Sequence, residues 1–102
     1  MIRLRYTRRA EADLDSIAAY TLEKWGLEQA QRYLDALIAC CEGLPADSSR
    51  GRVHHPRPEY LRTEQGRHVV FFRRDESGDT LVVRVLHERM LPELHLTADS
   101  EE

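Results

Sequence analysis

Apolar and polar residues alternate at the start of the chain, where Ile2, Leu4 and Tyr6 are interleaved with Arg3, Arg5 and Thr7. A period of two predicts a half-buried strand over residues 2–7. The period then changes. Leu14, Ile17, Ala18, Leu22 and Trp25 recur at helical spacing. Thr7 is placed to cap this helix, and Glu11, Asp13 and Asp15 near its start complement the helix dipole. Gly26 ends it. Leu27, Ala30, Leu34, Leu37, Cys41 and Leu44 then follow at alternating steps of three and four, a second amphipathic helix stopped by Gly43 and Pro45. The short turn between them predicts an antiparallel hairpin. The tyrosines and Trp25 of this pair read as core or hairpin packing.

Residues 45–58 carry Pro45, Gly51, Pro56 and Pro58 and read as a solvated crossover loop, His54 and His55 included. Three strands are predicted next. Tyr60–Glu64 is a weak one that turns at Gly66. Arg67–Arg74 carries the continuous run Val69, Val70, Phe71 and Phe72, the mark of a central strand. Leu81–His87 follows the turn Glu76-Ser77-Gly78-Asp79. Short turns make this meander antiparallel. Strict alternation would put Leu81, Val83, Val85 and His87 on one face and Val82, Arg84 and Leu86 on the other. After Pro92, Leu94 and Leu96 are expected to pack back on the body, and 97–102 to fray. The fold class is α+β, β-α-α-β-β-β, with the helix hairpin on one face of a small, mainly antiparallel sheet and the first strand at or near its edge. A single domain is expected over 1–96.

Composition narrows the function. The chain has 102 residues and a net charge of −3, with a sequence pI near 5.9. That balance argues against wrapping bare nucleic acid, and no direct sequence-specific nucleic-acid binding is expected. Lys24 is the only lysine among the 15 basic residues, so any basic site is built from arginine forks, which suit carboxylates and phosphates. The first helices are acidic and the strand region is arginine-rich. No stretch is long and apolar enough for a membrane span, no signal peptide is expected, and a cytoplasmic location follows. Adjacent Cys40 and Cys41 have no metal spacing and read as small buried hydrophobes. No metal or cofactor is expected.

The chemistry-bearing residues crowd toward the last strand. A nuclease would use His87 as general acid or base and Arg84 or Arg89 against developing phosphorane charge, with Tyr60 assisting. A structural alternative for Arg84 is an ion pair with Glu11, Asp13 or Glu88. No Ser-His-Asp set, phosphate loop or paired-carboxylate motif stands out.

Several segments together resemble a known family. Ala10-Glu-Ala-Asp13-Leu14-Asp-Ser-Ile17-Ala-Ala-Tyr20 resembles the A-x-x-D-L-x-x-I-x-x-Y opening of ParE-type toxins. Ala30 with Tyr33-Leu34, Gly51, Tyr60-Leu61-Arg62, Gly66 to Phe72, and Arg84-Val85-Leu86-His87-Glu88-Arg89 resemble its later motifs. The match spans roughly residues 2–96 and points to the RelE/ParE superfamily. The resemblance implies the toxin of a type II toxin–antitoxin pair that needs no cofactor. It would trap DNA gyrase on cleaved DNA by binding, not catalysis. A ParD-like ribbon-helix-helix antitoxin would neutralise it. Carried over residue by residue, it implies a target-binding surface of Arg62, Arg67, Arg84, His87 and Arg89. Antitoxin contacts are expected at Glu11, Asp13, Leu14 and Tyr20. The alternatives are a RelE-like ribosome-dependent mRNA endonuclease, or an inactive member that only binds its antitoxin. The single lysine and the absence of a tyrosine after Tyr60 favour the gyrase poison.

Overall fold

A computed structural model describes residues 3–46 and 51–96. Ile2 of the first predicted strand, positions 47–50 of the crossover and the predicted frayed tail at 97–102 lie outside the described residues.

Strand β1 covers Leu4–Tyr6. Thr7 then caps helix α1, Arg8–Trp25, its hydroxyl accepting from the Ala10 N–H at 3.0 Å. Helix α2, Leu27–Gly43, follows after one residue. Gly26 makes that reversal with φ of 86°, a conformation that a side chain would strain. The crossover is not all loop, because Arg52–Val53 forms a short strand β2. Strands β3 (Leu61–Gln65), β4 (His68–Arg74) and β5 (Thr80–His87) form the expected antiparallel meander. A four-residue helix α3, Pro92–His95, ends the described chain.

The sheet order is β1-β5-β4-β3-β2, with β1 parallel to β5 and at the edge. Two apolar clusters sandwich the sheet. One joins Ala10, Ile17, Leu37, Cys41 and Leu44 to Val70, Phe72, Val82 and Val85. The other joins Val69, Phe71, Val83 and Leu86 to Tyr60 and Leu96 on the opposite face. Buried apolar area on both faces of β4 explains its unbroken apolar run.

Strict alternation in β5 fails. Phe71 pairs with Arg84 but Phe72 with Val82, which leaves Val83 unpaired in a bulge. The extra residue reverses the facing downstream, so Val85 joins Val82 under the helices while Leu86 joins Val83 on the far side. Other expectations also change. Leu22, Trp25 and Leu27 belong to the predicted apolar stripes but are exposed, because the far end of the hairpin overhangs the sheet; Leu94, expected to pack back on the body, is exposed on α3. Leu96 is buried as expected, and so are both cysteines. Tyr60, 1% exposed, is part of the second core and cannot assist any chemistry at the surface. His54 is buried rather than solvated.

Candidate functional site

β1 covers only the first part of β5, from Thr80 to Val82. Beyond it the open edge of β5 has backbone groups that need partners. Helix α1 supplies them. Thr7 donates its N–H to Val82 O at 3.0 Å and its hydroxyl to Val83 O at 2.7 Å. Asp13 Oδ2 accepts the Val85 N–H at 2.9 Å. The same carboxylate accepts both Arg84 Nε, at 2.7 Å, and Arg84 Nη2, at 2.8 Å. Arg84 also donates to the His95 carbonyl at 3.3 Å. The Asp13 and Arg84 side chains are 14% and 11% exposed. Arg84 thus fastens the bulged strand to α1 and α3, and Asp13 is committed to it.

Past this clamp, the hairpin and the ends of β4 and β5 enclose an open groove of about 890 Å³. Ile17 and Thr21 of α1 line it, with Tyr20, Trp25 and Met90 at its exposed margin and Tyr33, Arg67, His68, His87 and Arg89 toward the sheet. Tyr20 and Trp25 are 60% and 62% exposed. Such large aromatic surface beside arginines is the composition of a recognition site, where anchors enter apolar pockets and charges line the rim.

A hydrogen-bonded cluster organises the sheet side. His68 and His87 are directly paired across β4 and β5, their rings edge to face at 5.3 Å. The Tyr33 hydroxyl lies 2.5 Å from His68 Nδ1 and accepts the Arg67 N–H at 3.0 Å. The β3–β4 turn comes close enough for this because residue 66 is glycine. Its φ is 59°, and a Cβ there would stand 2.7 Å from the Tyr33 ring. Burial, and then the neighbouring His87, lower the pKa of His68 below its ordinary value. His87 Nδ1 accepts the Arg89 N–H at 3.1 Å, and Arg67 pairs with Glu88 at 3.1 Å.

The predicted residues therefore separate. Arg67, His87 and Arg89 meet at the groove. Arg84 is spent in the clamp. Arg62 lies on the opposite sheet face, its guanidinium 5.9 Å from the Phe71 ring centre. Of the residues expected to meet an antitoxin, Tyr20 lines the groove, Glu11 is exposed on α1, Leu14 packs against the core and Asp13 holds Arg84. Tyr33, His68 and Trp25 were not singled out from sequence. Counting from the hairpin turn would pair His68 with Leu86; the bulge moves its partner on by one residue to His87, so this pairing could not be read from the sequence. Among the described residues, no cluster of His, Cys, Asp or Glu could hold a metal, and no helix is long and apolar enough to cross a membrane.

Comparison with known proteins adds a family. Residues 4–92 match the model described as ParE toxin of type II toxin-antitoxin system, parDE. The chain is 39% identical over 93 residues to Toxin ParE1 of Caulobacter vibrioides, covering 90% of this chain and 95% of the relative. A solved chain of the chromosomal ParDE toxin-antitoxin system from P. aeruginosa superimposes with a TM-score of 0.73 at 22% identity, covering 85% of this chain and 96% of that one. A chain of the toxin-antitoxin complex RelBE2 from Mycobacterium tuberculosis gives a TM-score of 0.63 at 19% identity, over 84% of this chain and 96% of that one.

Proposed function

The chain belongs to the ParE family of toxins from type II toxin–antitoxin systems, and from that premise we propose that it stalls DNA replication by binding gyrase and holding it on cleaved DNA. A ParD-like ribbon-helix-helix antitoxin neutralises it, and both act in the cytoplasm. Residues 1–96 form the working domain. The observation that carries this is the groove, which offers exposed aromatic side chains and an arginine rim. An antitoxin segment folding as an amphipathic helix would bury Tyr20, Trp25 and Met90 and place acids against Arg67 and Arg89. Arg67, His87 and Arg89 form the rim that meets gyrase, so the antitoxin blocks the toxin by covering the same surface. The clamp through Arg84 positions the last strand and lies outside this contact surface.

One observation keeps a second reading, mRNA cleavage on the ribosome. The Tyr33–His68–His87 cluster sets two imidazoles beside Arg67 and Arg89, groups that suit proton transfer and charge stabilisation. The bonds from Arg84 Nε and Nη2 to Asp13 favour a positioning role for Arg84 in this reading. Pulse-labelling after induction separates the two readings. A gyrase poison halts thymidine incorporation before methionine incorporation falls. The reverse order would replace it with the nuclease.

A further inference from the structure

The sheet face turned away from the helix hairpin carries a second hollow, of about 480 Å³, lined by Arg52, Val53, His54, His55, Pro56 and Arg62. Strand pairing explains the convergence. Arg52 stands opposite Arg62, and the His54 N–H bonds to Tyr60 O at 3.0 Å. Alternation then puts Arg52, His54 and Arg62 on one face. That face holds Phe71, whose ring meets His54 edge to face at 5.1 Å and the Arg62 guanidinium at 5.9 Å.

Two atoms here are unfinished. His54 is only 5% exposed, and its Nδ1 has no hydrogen-bond partner; buried Arg62 Nε has none either. Among the described residues no other buried side-chain nitrogen or oxygen is left this way. Such atoms are costly and uncommon in native folds. None of the six lining residues is acidic. Three acids stand nearby: Glu64 bonds Arg52 at 2.7 Å and lies 3.7 Å from Arg62 Nη2, Glu59 bonds Arg57 at 2.7 Å, and Glu93 acts on His54 from outside the lining. A carboxylate is therefore already present, and it leaves Arg62 Nε and His54 Nδ1 buried without a partner, so an anion would reach them by a small shift of the two side chains.

We propose that this hollow binds a phosphate group, held by Arg62, His54 and Arg52. A tetrahedral dianion has oxygens enough to accept from all three residues at once, and a charge suited to the arginine forks. His54 would donate from Nδ1. Burial, and then Arg62, now favour its neutral form, with Arg57 acting in the same sense and Glu93 and Glu59 against it. A bound dianion reverses that balance. The same chemistry is offered by inorganic phosphate and by the phosphomonoester of a nucleotide. The site lies on the other face of the sheet from the groove and is independent of the gyrase reading.

The experiment is an NMR titration of the isotope-labelled full chain with inorganic phosphate at constant ionic strength, chloride replacing phosphate in the control. A parallel arm uses adenosine monophosphate, and another acetate. Arg62 Nε–H and the His54 ring should shift together and saturate. Arg62→Gln should weaken binding about tenfold or more, the loss of one charge-assisted hydrogen bond, while exposed Arg9→Gln leaves it unchanged. Tighter binding of the nucleotide than of phosphate assigns the source as a phosphomonoester, and equal binding assigns free phosphate. Shifts that never saturate, that spread equally to Arg67 and Arg89, or that acetate reproduces would overturn the proposal. The wild-type titration decides it even if Arg62→Gln fails to fold.

Discussion

Asp13 and Arg84 are 71 residues apart in sequence and share a two-point bond at 2.7 and 2.8 Å across the junction of helix and sheet. The same carboxylate takes a backbone N–H of the strand that carries the arginine. Removing either side chain strands a largely buried charge. Arg84→Ala and Asp13→Ala should each cost about 3 kcal/mol, lowering Tm by roughly 10–20 °C. The double variant should cost clearly less than the two losses added. Additive losses in thermal melts would show that the pair is not coupled. Loss of toxicity in any Arg84 variant has to be read beside its melting curve, and Arg67→Ala with Arg89→Ala is the cleaner probe of the contact surface.

Groove residues should behave in the opposite way. Trp25 and Tyr20 are mostly exposed, so Trp25→Ala and Tyr20→Ala should change stability by no more than about 0.5 kcal/mol. If these rings anchor the antitoxin, each change should cost about 2 kcal/mol of binding, roughly thirtyfold in Kd. Calorimetry with the purified antitoxin measures it. Unchanged affinity in both variants would move the antitoxin elsewhere.

Two histidines, one buried and one half-buried, predict a pH dependence. His68 and His54 both have pKa values below the ordinary 6.5 in the folded chain, burial being the first cause for each. Between 6.5 and those lower values the unfolded chain binds more protons than the folded one. Stability is therefore fully present above about pH 6.5 and declines as pH falls through the window below it. Denaturant midpoints should drop on mild acidification, and His68→Gln should flatten part of that slope. An unchanged slope would contradict a half-buried His68 held neutral.

Much of this fold was legible in the residues. The cap at Thr7, the stop at Gly26, the helix pair and the antiparallel meander all follow from local periodicity and turn chemistry. The bulge at Val83 was not legible, because a run of branched apolar residues gives no mark of where alternation slips. Arg84 shows the same limit at the site. Its ion pair with Asp13 was one alternative from charge alone, but only the short reach of β1 along β5 makes it necessary. Trp25 looked like core because helical spacing says which face a residue is on, not how far the sheet extends beneath it. Arg67, His87 and Arg89 lie on neighbouring strand ends, so a motif reading could place them together.

The thiols should be quiet. Cys41 is fully buried, and burial, with Cys40 beside it, pushes its pKa up to about 11. Little thiolate then exists near neutral pH. Iodoacetamide should label neither cysteine in the folded chain and both after denaturation, read by intact mass. Rapid labelling of the native protein would mean that the α2 end opens readily.

Gyrase trapping is tested most directly by mixing purified toxin, freed of antitoxin, with gyrase, ATP and supercoiled plasmid, then denaturing the protein and quantifying linear DNA. Linear DNA that rises with toxin dose, vanishes when antitoxin is added and falls with Arg67→Ala plus Arg89→Ala is the predicted result. No linear DNA at a large excess of folded toxin over gyrase would contradict it and bring the Tyr33–His68–His87 cluster forward as an RNA-cleaving site.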